Sequence, residues 1–466
     1  MSTIQALSLA IFAGILLVSV WFRINIGVVA LPGAFLLASV AGISAGNILA
    51  AFPGDLVILI IGITLLFAHA QRSGAINWLT ESVLRLVGSR RWLIPWVGFV
   101  LAAILGTVGG LPAAVVAIVI PIVAGLARTY RINYFMMAVM ANWAAIAAGM
   151  SPLSPAGALF RTLTQRAHLP YSPWALYGIV MAVHTVAAVI AFFAFGGTRL
   201  RQEVHVAEWR AAAPGAGAGA GLSAAAPAVV HAAALGTGTG SDPVDPAPIR
   251  HEGTTAVAAA RRSPSGDTRP AYRIASLAAL VVLAVTAIGF NVDIGLTALS
   301  LALLLQIIFR PPEKEVLGRV AWPVVLLLAG LLIYLNLLAK VGTLHSIQNV
   351  LHGISSPVVA ILVLAYVTAL FSNMDSSTIV VLGVMAPIGL AISGGSSAAV
   401  LAVLVTVATA TAIISMSPVH INGSLIIANT PDNDEPQLVR RLIYLTAVIS
   451  LVVPALIAVY PITVGT

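Results

Sequence analysis

The chain has 466 residues, of which 60% are hydrophobic and 8% charged, and its mean hydropathy is +1.04. No soluble globule has enough interior to hide that many apolar side chains, so composition excludes a water-soluble domain and places the chain in a lipid bilayer as an all-α polytopic membrane protein. A net charge of +8 would suit nucleic acid in a soluble protein, but here the basic residues cluster in short loops beside apolar runs, as the positive-inside rule requires, and no nucleic-acid partner is expected. With no cysteine there is no disulfide, thiolate metal site or cysteine nucleophile.

The N-terminal stretch MSTIQALSLA lacks a basic region and a cleavage site, so the first apolar run, Ile4 to Phe22, is expected to be a retained span. Ile26 to Ile43 and Gly54 to Ala70 follow as spans. Ile76 to Val87 carries Trp78, Glu81 and Arg85 among apolar residues and is expected along the interface. Trp92 to Ala127 is apolar throughout yet interrupted by Gly106-Thr107-Val108-Gly109-Gly110-Leu111-Pro112. Arms of about 15 residues are only ~22 Å long. This predicts a re-entrant hairpin, or else two short spans joined by a polar turn. Phe135 to Ala148 begins a span that breaks at MSPLSPAGAL (Met150 to Leu159), because Pro152 and Pro155 lack an N–H and restrict the residue before them. Trp174 to Phe195 closes the first half.

Residues 199–273 are rich in Ala, Gly and Pro with scattered charges and no helical period, which predicts a flexible, low-complexity cytoplasmic linker between a first repeat, 1–198, and a second, 274–466. The second half repeats the order: Ile274 to Phe290, Ile294 to Phe309, a basic loop, and Val320 to Leu338. A second hairpin, Ser356 to Ile392, has its tip at Ser372 to Thr378 and uncharged flanks. Ala398 to Ile414 then leads into MSPVHINGSL (Met416 to Leu425), Pro431 to Arg441 is polar, and Leu442 to Tyr460 is the last span.

The two broken motifs share Met, Ser, Pro, Gly and Leu in register, 266 positions apart. Pro121 and Pro387 keep the same offset, and Gly62 and Gly74 recur 268 positions on as Gly330 and Gly342. This is an internal repeat of the kind that points to a transporter. Each half holds about five spans plus a re-entrant hairpin and one broken helix. Five is odd, so the halves are expected to be two inverted repeats, with both termini outside and the linker inside a cell (inner) membrane.

In hydrocarbon every backbone N–H and C=O needs a partner, so hairpin tips and helix breaks persist only where they line a cavity or site. Half-helix N-termini there can hold an anion, and unwound carbonyls can hold a cation. The residues at these points are candidates for substrate binding: Thr107, Gly109, Gly110, Ser151, Ser154, Ser372, Asn373, Ser376, Ser377, Thr378, Ser417, His420 and Asn422. Gly157, Gly423 and Asp375 are candidates for cation coupling. Each hydroxyl could instead serve only as a helix cap. Asp375 reads as a proton carrier, a sodium ligand or the cap of the helix from Thr378. His420 reads as a substrate or proton group, or as a neutral hydrogen-bonded histidine, and His184 as structural. No HExxH motif or paired intramembrane aspartate is present, so an enzyme is not expected.

The run AFPGDLVILIIGITLLFAHAQRSGAINWLTESVLRLVGSRRWLIPW (Ala51 to Trp96), with the GG-P tip and the SPLSPAG break, resembles the N-terminal domain of MatC-type malonate/dicarboxylate carriers over about the first 170 residues, and more loosely over Ala321 to Pro454. That family is distantly similar to the divalent-anion/sodium symporters of the ion-transporter superfamily. Ser372-Asn373 fits the symporters' Ser-Asn-Thr tip, with Met374 in place of Thr. The resemblance implies cation-coupled carriage of a small dicarboxylate such as malonate, a homodimer and an elevator mechanism. No organic cofactor is implied beyond a coupling sodium ion or proton. Relatives of this architecture move citrate, arsenite or sodium, and those substrates and a channel stay open from sequence.

Overall fold

A computed structural model describes residues 2–22, 24–87, 90–200, 269–289, 292–343, 346, 357–374, 378–393, 395–418, 420–430 and 435–457. Asp375, Ser376, Ser377 and most of the expected linker lie outside the described residues. What is described is helical, and no strand occurs among these residues.

The first half runs α1 (Thr3–Phe22), α2 (Ile26–Val40), the one-turn α3 (Ala45–Leu49), α4 (Gly54–Arg72), α5 (Ala75–Val87), α6 (Ile94–Thr107), α7 (Pro112–Tyr130), α8 (Tyr134–Ala148), α9 (Pro155–Arg166) and α10 (Pro173–Ala194). The second half runs α11 (Pro270–Gly289), α12 (Ile294–Phe309), the one-turn α13 (Glu313–Leu317), α14 (Trp322–Lys340), α15 (Pro357–Met374), α16 (Thr378–Ile392), α17 (Ser397–Ile414), α18 (Ile421–Ala428) and α19 (Glu435–Ile457). The helices follow a similar order in the two halves, down to the five-residue α3 and α13, but α5 has no counterpart among the described residues of the second half. Seven helices among the described residues are long and apolar enough to cross a membrane.

Local signals set the boundaries. Asn25 and Asp293 accept from backbone N–H groups of Gly27 and Leu296, capping α2 and α12. Gly74 and Gly342 both adopt left-handed φ, +73° and +74°, and end α4 and α14 alike. Along α5, Ala75, Ile76, Thr80 and Val83 are buried while Trp78, Glu81 and Arg85 face out, the one-sided pattern expected of an interfacial helix.

Some boundaries differ from the sequence reading. The arm α7 has 19 residues and is long enough to cross, because the helix begins at Pro112 and continues past Ala127 through the exposed Arg128 and Thr129 to Tyr130. The last helix starts at Glu435 rather than Leu442, since its polar first turns still carry a helical stripe through Leu438 and Leu442, both buried. The helix α11 takes in the end of the expected linker from Pro270, where Tyr272 is fully buried against Phe309 and His69.

The halves cross through glycines. Gly27 on α2 lies against the backbone of Leu326 and Leu327 on α14, and Gly330 of α14 lies against Gly27; Gly295 on α12 sits against Leu59 on α4, and Gly62 of α4 sits against Gly295. Small residues let helix backbones approach closely, and in lipid such close packing is a main source of association. At one end of α4, Arg72 pairs with Glu315, Gln71 accepts from Arg319 at 2.6 Å, and His69 Nδ1 lies 2.7 Å from the Tyr272 hydroxyl. One apolar core gathers α2, α4, α12, α14 and α16, and a second gathers α6, α7, α8 and α18.

Candidate functional site

Each hairpin tip meets the helix break of its own half. In the first, Ser151 Oγ donates to Thr107 O at 2.8 Å, and Gly109, at φ +105°, leaves no room for a Cβ beside Leu153 O. Gly110 N–H donates to Leu105 O at 2.9 Å, closing the tip. Thr107 Oγ1 donates back to Ala103 O at 2.6 Å and lies 2.7 Å from the Tyr177 hydroxyl on α10. In the second, Ser372 Oγ donates to Thr411 O at 3.2 Å, and Asn373 Nδ2 donates to Ala369 O at 3.0 Å and Ser450 Oγ at 2.9 Å. Thr107 and Asn373, 266 positions apart, thus do the same two things: each bonds the carbonyl four residues back and reaches the helix that closes its half.

The breaks also match. Ser154 caps α9 by accepting from Gly157 N–H, and it donates to the Gly149 and Ser151 carbonyls. His420, at the equivalent place, caps α18: its Nδ1 accepts from Asn422 N–H at 3.2 Å. A ring nitrogen that accepts carries no proton, so the proton sits on Nε2, which lies 3.3 Å from Thr378 Oγ1 at the start of α16. A Cβ on Gly157 would run into Ser151 O, and one on Gly423 into Ser417 O. Only glycine lets the resumed helix fold this tightly over the broken turn. The capping roles of Ser154 and His420 are met; Ser417 Oγ makes no hydrogen bond to a described residue and stays available.

The two clusters interlock. The half-helix α18 packs on hairpin arm α7, and α9 packs on hairpin arm α16, so each break leans on the other half's hairpin. Asn142 Nδ2 on α8 donates to Ser415 Oγ at 3.3 Å, and Trp143 Nε1 donates to Ile413 O at 3.2 Å. Ser151, Ser154, Ser372 and Asn422 are all buried, at 0%, 0%, 1% and 1% exposed.

Within this interior both side-chain atoms of Asn422 and the Oδ1 of Asn142 have no partner. An unpaired buried amide destabilises the fold by about 1–3 kcal/mol unless water or a ligand supplies the missing bonds, which makes Asn422 and Asn142 candidates for ligand contact. Both atoms being free, Asn422 can donate to a carboxylate oxygen or present a neutral oxygen to a hard cation. Sequence reasoning missed Asn142, although it is the one side-chain amide in the apolar run YFMMAVMANWAAIAA of α8, a signal in its own right. His184, read as structural, donates from Nδ1 to Val180 O at 2.7 Å within its own helix. Among the described residues no three of His, Cys, Asp or Glu gather as a metal-binding group.

Comparison with known proteins adds one match. Residues 1–149 match the family model described as the dicarboxylate carrier protein MatC N-terminus, about a third of the chain. The match takes in Ala51 to Trp96 and the first hairpin and ends two residues before Ser151. A search of curated proteins finds no match.

Proposed function

We propose, proceeding from that MatC-type match, that the chain is a secondary active transporter of small organic anions. Malonate or another short dicarboxylate is the substrate, and the driving ion is a proton or sodium. The carrier family and the apolar helices make a multi-pass membrane carrier of dicarboxylates the premise. The observation that supports the finer reading is the pair of equivalent helix breaks, each over a carbonyl that excludes any side chain, with the unpartnered Asn422 in the second of them.

On this reading the substrate carboxylates lie at the N-terminal ends of α9 and α18, held by helix dipoles and by Ser417, Asn422 and the tip hydroxyls rather than by a buried arginine. Ser376, Ser377 and Asp375 complete the second tip, with Asp375 and the broken-turn carbonyls near Gly157 and Gly423 serving the coupling ion. Two features support inversion of the repeats. Glycine crossings α2 on α14 and α12 on α4 are reciprocal. The α7–α8 turn lies beside the stretch from α18 to α19 rather than beside its own counterpart. The basic loops then face the cytoplasm. The α2, α4, α12 and α14 crossings would form a fixed frame, likewise the dimer surface, while hairpins and broken helices move as an elevator.

The test is uptake of labelled malonate into proteoliposomes, under an imposed sodium gradient in one arm and a pH gradient in the other. Concentrative uptake in either arm is the expected result and names the coupling ion. No uptake above empty liposomes by folded, inserted protein would overturn the dicarboxylate assignment.

A further inference from the structure

A cavity of about 350 Å³ opens between the α7–α8 turn and the start of α19, away from the breaks. Arg128, Arg131 and Arg441 line it together with Asn133, Thr430 and Gln437. No carboxylate lines it among the described residues; Glu435 is exposed outside it, and Asp432 and Asp434 lie outside the described residues. None of the three arginine side chains makes a hydrogen bond or ion pair to a described residue. Three unpaired guanidiniums from both halves of the chain therefore converge on one concavity, where like charges repel unless an anion sits between them.

Backbone polarity reinforces this. The helix α8 starts at the cavity, with Asn133 taking the Met136 N–H and the N–H groups of Tyr134 and Phe135 left at its positive end. The carbonyl end of α7, which would oppose an anion, is covered by another cation: Arg91 Nη2 donates to Tyr130 O at 2.5 Å and to Arg131 O at 3.4 Å. Below the cavity, Tyr134 OH donates to Ile426 O in α18 at 2.7 Å. The eight residues of α18, about 12 Å of helix, separate this place from the Asn422 break.

We infer that this cavity is a second, separate anion site, taking an anionic oxygen group, carboxylate or phosphate, at the basic face of the protein. Guanidiniums match such groups with paired N–H donors, and the Gln437 amide can add to them, whereas Thr430 Oγ1 donates to Ile427 O at 2.6 Å and Asn133 Nδ2 gives one N–H to Phe195 O at 3.4 Å. The oxyanion can come from solution or from the phosphate headgroup of a lipid. The inference does not depend on the transport reading.

The experiment is calorimetric titration of the delipidated full chain in neutral detergent with inorganic phosphate and with malonate, alongside native mass spectrometry of protein from nanodiscs of mixed phosphatidylglycerol and phosphatidylcholine. The variants are Arg128→Gln, Arg441→Gln and the pair together; both residues are exposed and unpaired, so melting should not change. Saturable phosphate or malonate binding that weakens about tenfold or more in the double variant, and survives in Asn422→Ala, supports a site for soluble anions. Selective retention of phosphatidylglycerol that the double variant loses supports the lipid source. Absence of both, or either one unchanged in a folded double variant, overturns the proposal. Failure of malonate uptake in proteoliposomes with this binding intact would fault the transport reading alone.

Discussion

Gly330 rests on Gly27 so closely that a Cβ on Gly330 would collide with the Gly27 carbonyl oxygen, and 268 positions away along each partner the same relationship recurs between Gly62 and Gly295. Neither crossing has space for one methyl group. Gly330→Ala should therefore force α2 and α14 apart and lower stability by about 1–3 kcal/mol. Thermal melting in detergent checks this, with Gly14→Ala, where a Cβ meets nothing within 4 Å, as the neutral comparison. Equal melting for the two would mean the crossing is looser than described.

At the breaks the same substitution should act on transport. Gly157→Ala and Gly423→Ala push the resumed half-helix off the Ser151 and Ser417 carbonyls and displace its N–H groups from the site. Uptake should fall by about tenfold or more in each, corresponding to ~1.4 kcal/mol. Gly178→Ala, in open space on α10, should transport normally.

Asn422 separates function from folding. Because neither of its amide atoms has a partner, Asn422→Ala removes a desolvated group and no native bond. Melting should hold or rise, by up to about 1 kcal/mol, while uptake is lost. A variant that melts early and still transports would place Asn422 in the scaffold.

His420 joins two elements, and one substitution divides its roles. Asparagine can accept the Asn422 N–H and keep the cap, but it cannot also reach Thr378 on α16. His420→Asn should keep most of the stability and lose uptake. His420→Ala should lose about 1 kcal/mol as well. Chemical denaturation and uptake on the same preparations would distinguish the two.

The charged end of α4 makes a stability prediction. Burial first, and then the nearby Arg72, push the Arg319 guanidinium below its ordinary value, while Tyr272 raises it. Glu315 is the carboxylate that pairs with Arg72, while Arg319 donates to Gln71. Glu315→Gln should leave Arg72 and Arg319 facing each other and reduce melting temperature, more at low salt than at high. Salt-independent melting would show the pair to be screened already.

Much of this architecture was legible in the chain. Apolar runs long enough to span, Pro and Gly interruptions at Met150 to Leu159 and Met416 to Leu425, and glycines recurring at a fixed offset are local patterns, and in a bilayer the backbone must satisfy itself locally. Helix starts such as Ser154 and turns such as Gly74 follow from a few neighbouring residues. The candidate site was visible as four interruptions, though its residues could not be sorted into caps and free donors.

That sorting came from contacts between residues far apart in sequence. Nothing in the order of residues says that His420 spends its Nδ1 on a cap and turns Nε2 to Thr378, that Asn373 commits its amide to Ser450, or that Asn142 reaches Ser415. The same holds for the meeting of Arg128 and Arg131 with Arg441 around one cavity. The sequence by itself determined where helices run and where they must break, because hydrophobic length and backbone hydrogen bonding act within a segment. Only the tertiary structure decided which broken ends meet and which polar atoms are left unpaired there, because packing between distant segments sets both.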